Sequence, residues 1–253
     1  MAGYRGVLFD LFGTLIGVAA ERLPELAVDD RAVRSTLGGL TGLLGEIAPG
    51  VPLPDVWQAL VTASDELAQA RSWDHVELPS RERFRRALAL VGCEESACDE
   101  GAVLLSRAHM RLIAEATVFP DEHAALLRVV RATHRVAVVS NFDDTATGYE
   151  ILRRHGILDQ VDVVVISEGL GLRKPHPALV RVPLRELGMA PAEALLVGDT
   201  FAEDVGAAHA AGVDCVWIDG RGAGVPETAG VRPRWVIRRL AELAPILGLG
   251  SLG

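Results

Sequence analysis

The chain has 253 residues, 49% hydrophobic and 23% charged, an ordinary globular balance with enough apolar mass for a real core. A formal net charge of −9 argues against nucleic acid as a main partner. No apolar run is long enough to span a membrane and no basic-then-apolar leader opens the chain. Together with Cys93, Cys98 and Cys215, which lack zinc-type spacing and read as reduced thiols, this predicts a cytoplasmic protein with no membrane contact.

In chain order, the first apolar run is "GVLFD" (6–10), which ends in Asp10 and leads into a small turn at Gly13 and Thr14. Residues 18–116 then carry helical periodicity in "LPELAVDDRAVRSTLGGLTGLLGEI", "LPDVWQALVTASDELAQAR", "SRERFRRALALVG" and "EGAVLLSRAHMRLIAEA", with no convincing strand. An all-helical insertion is expected there, and Phe119-Pro120-Asp121 marks the return to the core. After it come "VAVVSN" (136–141), "VDVVVISE" (161–168), "ALLVGD" (194–199) and "VDCVWID" (213–219). They are short, Val- and Ile-rich and apolar on both faces, as strands of a covered parallel sheet are. The segments "EHAALLRVVRAT", "ATGYEILRRHGI", "ALVRVPLRELGM" and "FAEDVGAAHAAG" read as the intervening helices, three of them closing near Gly156, Gly188 and Gly212. "RWVI" and "RRLAELAPIL" read as a last short strand and closing helix. Strand and helix in alternation predict an α/β fold with a doubly wound parallel sheet. The expected domains are a core of 1–17 and 117–253 and a cap of 18–116.

Asp10, Ser140-Asn141 and Asp199 each follow a predicted strand directly, and ligands of open parallel sheets bind beyond the carboxyl ends of the strands. Lys174 stands out in another way. Of 25 basic residues it alone is lysine, so a compact, rotatable ammonium is wanted where a guanidinium fork will not serve. Structural roles also suit these positions. Asp10 can form a turn, Ser140 and Asn141 can cap a helix starting at Asp143 or Asp144, Asp199 can close an Asx turn, and Asp204 can be a first-turn helix acid. The arginines at 81, 83, 85 and 86 read as a solvated helix face, and His176 as a loop-shaping residue.

Taken in order, "DLFGT" (10–14), Ser140-Asn141, Lys174-Pro175 and Gly198-Asp199 with Asp204 resemble the four motifs of the haloacid dehalogenase-like hydrolase superfamily. A helical insertion falls where that superfamily carries its C1 cap. "SNFD" and "LPSRERFRRALALVG" resemble its REG-2-like, phosphatase-like subgroup. The resemblance implies catalytic roles for Asp10, Thr14, Ser140 and Lys174, with Asp10 the nucleophile of an aspartyl intermediate. It implies Mg²⁺ held by Asp10, the backbone carbonyl of Phe12, Asp199 and Asp204, the last from behind or through water while orienting Lys174. Ser140, the backbone N–H of Asn141 and Lys174 would hold the oxygens of the transferring group of a small phosphorylated substrate. The cap would close over the crevice and choose the substrate.

Phe12 departs from the pattern. Phosphatases of this superfamily usually place there an aspartate that protonates the leaving oxygen, whereas halide departs without a proton. Three readings follow. One is a phosphatase for leaving groups that need little protonation, or with an acid supplied by the cap. The second is a metal-independent 2-haloacid dehalogenase. The third is a degenerate phosphate-binding or regulatory protein. Retention of Asp199 favours the first, because Asp10 and Asp199 without a cation would set like charges together in a desolvated site.

Overall fold

The computed structural model describes residues 3–28 and 31–249. The chain divides into two compact units, Met1–Gly17 with Val118–Gly253, and Val18–Thr117. The first unit is built on a sheet of β1 (Gly6–Phe9), β2 (Arg135–Ser140), β3 (Val163–Ile166), β4 (Ala194–Gly198), β5 (Asp214–Ile218) and β6 (Trp235–Ile237). Their spatial order is β6-β5-β4-β1-β2-β3, and every pairing is parallel. This is a doubly wound α/β fold whose strand order reverses between β1 and β4. Such a switch point opens a crevice at the carboxyl ends of the strands.

The register carries the site residues to that edge. Phe9 pairs with Val138 on one side and Val197 on the other, and the Asp10 N–H donates to the Val197 carbonyl at 2.9 Å. β2 and β4 thus run past the level of Phe9, to Ser140 and to Gly198. Val7, Leu8 and Phe9 are fully buried, as expected of a strand covered on both faces. On one face Leu8, Ala137, Val139 and Leu196 join a cluster with Leu179, Val180 and Leu184 and with Ala207, Ala208 and Ala211.

The second unit contains α1 (Thr41–Ile47), α2 (Leu53–Asp74), α3 (Ser80–Leu90) and α4 (Glu95–Ala116). The expectation of an all-helical insertion is corrected here. "ELAV" and "RAVR" form an antiparallel hairpin, Glu25–Val28 against Arg31–Arg34. Its residues follow a period of two: Leu26 is buried and Val33 packs on the unit's core. Glu25 pairs with Arg34 opposite it at 3.3 Å, so cross-strand contacts overrule a helical reading. Glu82 gathers part of the arginine group, bonding Arg85 at 2.8 and 2.9 Å and Arg86 at 2.7 Å, and these donors draw its carboxyl down to about 2.

The crossovers of the first unit include α5 (Asp121–Arg131), α6 (Thr145–Arg154), α7 (Ala178–Leu187) and α8 (Gly206–Ala211). Gly188 and Gly212 follow α7 and α8 in the left-handed conformation. α6 starts later than expected. Asp144 is its N-cap and accepts from the Thr147 N–H at 2.8 Å, so Ser140 and Asn141 are not its caps. The closing segment is a 3₁₀ turn (Leu240–Glu242) and one helical turn (Leu243–Ile246) rather than a full helix. No helix among the described residues is long and apolar enough to cross a membrane. Leu8→Ala is expected to lower the unfolding free energy by about 2–5 kcal/mol, because it removes apolar volume between two layers. Urea titration checks this, and a loss below about 1 kcal/mol would show that the layers can close over the gap.

Candidate functional site

Lys174 is the hub of the site. Its side chain is 1% exposed, and its Nζ donates to Asp10 Oδ1 at 2.6 Å, to Asp204 Oδ1 at 2.7 Å and to the Val139 carbonyl at 3.0 Å. Those acceptors lie at or beyond the ends of β1 and β2 and in the turn after β4. Three ammonium hydrogens meet three acceptors that converge from different segments, a geometry that a planar guanidinium does not match.

Asn141 sets the lysine's backbone. Its Oδ1 accepts the Lys174 N–H at 2.7 Å, and its Nδ2 donates to the Lys174 carbonyl at 3.0 Å. A side chain that could have capped a helix is thus committed to positioning Lys174. Asp204 sits in a π-helical turn, Phe201–Val205, ahead of α8. Its Oδ2 accepts the Thr200 N–H at 2.9 Å while Oδ1 holds Lys174, so both oxygens have partners. His176 does shape its loop, since Nδ1 accepts the Ala178 N–H at 3.2 Å.

Two glycines permit the close approach of these groups. Gly13 has φ +84°, and a Cβ there would run into the Asp199 carboxylate. A Cβ on Gly198 would meet the Asp204 carboxyl group. Trp217 contributes a contact that the sequence did not single out: its indole N–H donates to the Asp199 carbonyl at 2.9 Å. The only earlier signal was an indole within "VDCVWID", beside the strand that carries Asp199.

Three buried polar atoms at this edge have no hydrogen-bond partner among the described residues: Thr14 Oγ1, Ser140 Oγ and Asp199 Oδ1. Buried polar atoms are rarely left so, and three at one strand edge mark a place for a polar ligand. Asp10, Asp199 and Asp204 each offer an oxygen within 4.8 Å of the others. Burial pushes the Asp10 carboxyl up to about 7 against the pull of Lys174, with Asp204 and Asp199 adding to the rise. Burial, then Asp204, also raises Asp199. Burial alone would lower Lys174, but Asp10 and Asp204 outweigh it and hold the ammonium above its usual range.

Three carboxylates against one ammonium leave the crevice short of positive charge. Asp199 Oδ1, buried and without a partner, is the hard oxygen ligand that Mg²⁺ prefers, so these residues fit such an ion. Asp10 and Asp199 are suited to direct contact, while Asp204 is engaged by Lys174 and Thr200. Phe12 places its ring on Phe142, with centroids 4.8 Å apart and planes inclined at 36°. Lys174→Met is expected to destabilise the protein by about 3–5 kcal/mol, since it strands two buried carboxylates. Denaturant unfolding measures this, and a loss below about 1 kcal/mol would mean that protons or water replace the ammonium cheaply.

Comparison with known proteins places the chain. Residues 4–212 match the family described as haloacid dehalogenase-like hydrolase. Phosphoserine phosphatase of Thermus thermophilus is 35% identical over 147 residues, 56% of this chain and 55% of that protein. Phosphoglycolate phosphatase of Yersinia pseudotuberculosis is 29% identical over 252 residues, 98% and 95% of the two chains. The crystal structure of a 2-haloacid dehalogenase from Pseudomonas syringae superposes with a TM-score of 0.72 at 22% identity, covering 97% of this chain and 98% of that one. With the site geometry and a family match over most of its length, the chain belongs to the haloacid dehalogenase-like hydrolases.

Proposed function

We propose that this hydrolase is a Mg²⁺-dependent phosphatase that works through an aspartyl-phosphate on a small phosphorylated metabolite. The observation that carries the reading is the buried Asp10–Lys174–Asp204 network beside the partnerless Asp199 Oδ1. Lys174 donates to Asp10 Oδ1, which keeps a second lone pair for the ion, and Oδ2 is left to attack phosphorus. As the new O–P bond forms, the bond to the leaving oxygen breaks and its electron pair goes to that oxygen. Water then attacks the phosphorus of the aspartyl-phosphate; the Asp10 O–P bond breaks with its electron pair returning to the carboxylate, and the protons of the water leave with inorganic phosphate.

Ser140 Oγ and Thr14 Oγ1, both buried without partners, are donors available to the transferring group's oxygens. The part of the Asn141 backbone N–H in holding the phosphate is compatible with a side chain spent on Lys174. With all three of its hydrogens engaged, Lys174 contributes charge and the orientation of Asp10. Asp10, the Phe12 carbonyl and Asp199 would hold Mg²⁺, with Asp204 supporting from behind. When bound, the ion neutralises charge between carboxylate and phosphoryl group. The relatives named as phosphatases support the same reaction class.

Phe12 cannot donate a proton, so leaving oxygens that depart readily as anions are favoured, as in acyl and aryl phosphates. One feature favours 2-haloacid dehalogenation as a second reading: halide leaves without a proton, so Phe12 is no handicap there. Retained Asp199 opposes it.

Hydrolysis of p-nitrophenyl phosphate and acetyl phosphate, with Mg²⁺ and with chelator, is the direct test. Release that needs Mg²⁺ and vanishes in Asp10→Asn is expected. Halide release from a short 2-haloacid in the presence of chelator would replace this reading with the second. Phe12→Asp is expected to raise turnover of alkyl phosphates by roughly 10²–10⁴, the usual worth of general acid–base help. No gain in that variant would show that proton supply does not limit the reaction.

A further inference from the structure

Nothing in the Lys174 network calls for the pair formed by Phe12 and Phe142. The two rings come from adjacent strand ends, each two residues beyond a site residue, Asp10 and Ser140. Both are half-buried rather than drawn into the core. They lie 4.8 Å apart at 36°, a tilted contact between two part-exposed residues that follow Asp10 and Ser140.

Phe142 is also held in place. Its N–H donates to Ser167 Oγ at 2.8 Å, and its carbonyl accepts from the same hydroxyl at 3.1 Å. Ser167 is fully buried, so the backbone that bears the ring is pinned on both sides. Phe12 is tethered through its neighbour, since the Gly13 N–H donates to the Ile16 carbonyl at 2.8 Å. Two anchored, part-exposed rings at the edge of a charged site are a ready surface for another π-system.

We propose that Phe12 and Phe142 form a stacking subsite for a planar, conjugated leaving group, so that aryl phosphates are the substrate class. The inference rests on the phosphatase reading and narrows it. Two independent features ask for the same chemical property. Without an acid at position 12 the leaving oxygen must be weakly basic, which conjugation with an aromatic ring provides. The part-exposed Phe12–Phe142 pair offers a flat apolar surface, which the same ring would complement. An acyl phosphate meets the first requirement and not the second. The P–O bond breaks with its electron pair passing to the phenolic oxygen, and the phenolate takes its proton from water after release.

The test is binding rather than turnover. Calorimetry on the intact protein with Mg²⁺ compares phenylphosphonate with methylphosphonate, which share the anionic head and cannot be hydrolysed at the P–C bond. Wild type is expected to prefer phenylphosphonate by about three- to tenfold, the worth of one good aromatic contact. Phe142→Leu is expected to reduce the preference to within about twofold, and Phe142→Tyr to keep it, with thermal melts checking that both variants fold. Equal affinity in wild type, binding of neither phosphonate, or a preference that survives Phe142→Leu would each overturn the subsite. Aryl preference without hydrolysis of p-nitrophenyl phosphate would uphold the subsite and defeat the phosphatase reading. Metal-dependent hydrolysis of acetyl phosphate without aryl preference would do the reverse.

Discussion

A buried ammonium with three acceptors organises this protein's working edge. Lys174 cannot be taken out of water unless Asp10, Asp204 and the Val139 carbonyl all reach it, and those groups belong to segments far apart in the chain. Each must therefore be delivered to within hydrogen-bond distance by the sheet. The parallel register of β1, β2 and β4 does this, and the Asn141 clamp settles where the lysine's own backbone lies. If any of these pieces slipped by one residue, a charge would be left buried without its partner.

The same crowding explains the glycines and the excess of negative charge. At Gly13 and Gly198 a side chain would displace Asp199 or Asp204, so backbone without a Cβ is what lets the carboxylates converge. Their convergence raises Asp10 and Asp199, chiefly through burial. A protein gains nothing in stability from three carboxylates around one ammonium. The arrangement makes sense as a preorganised receptor for positive charge, with Trp217 bracing the turn that carries Asp199.

At Phe12 a ring, which can neither give nor take a proton, stands two residues beyond Asp10. It is in contact with a second ring, Phe142, whose backbone is itself fastened by Ser167. Family membership rests on the match along residues 4–212, while a shared fold does not by itself choose the substrate.

The sheet and its site-bearing ends were legible in the sequence because the signal is local. Short β-branched runs that end in "D", "SN" and "GD" state both the strand and the position beyond it, and a single lysine among arginines marks a place where shape matters as well as charge. The hairpin at Glu25–Val28 and Arg31–Arg34 was not legible, since "ELAV" and "RAVR" suit a helix until each finds the other strand. Nor could the sequence say that Asn141 would turn to the backbone of Lys174, that Trp217 would hold the Asp199 carbonyl, or that Phe12 would meet Phe142. Those are contacts between residues remote in the chain, and a partner's identity leaves no trace in the local pattern. The sequence by itself determined which residues stand at the carboxyl edge of the sheet. Only the tertiary structure decided which hydrogen bonds they make there, because that depends on distances set by packing the whole unit.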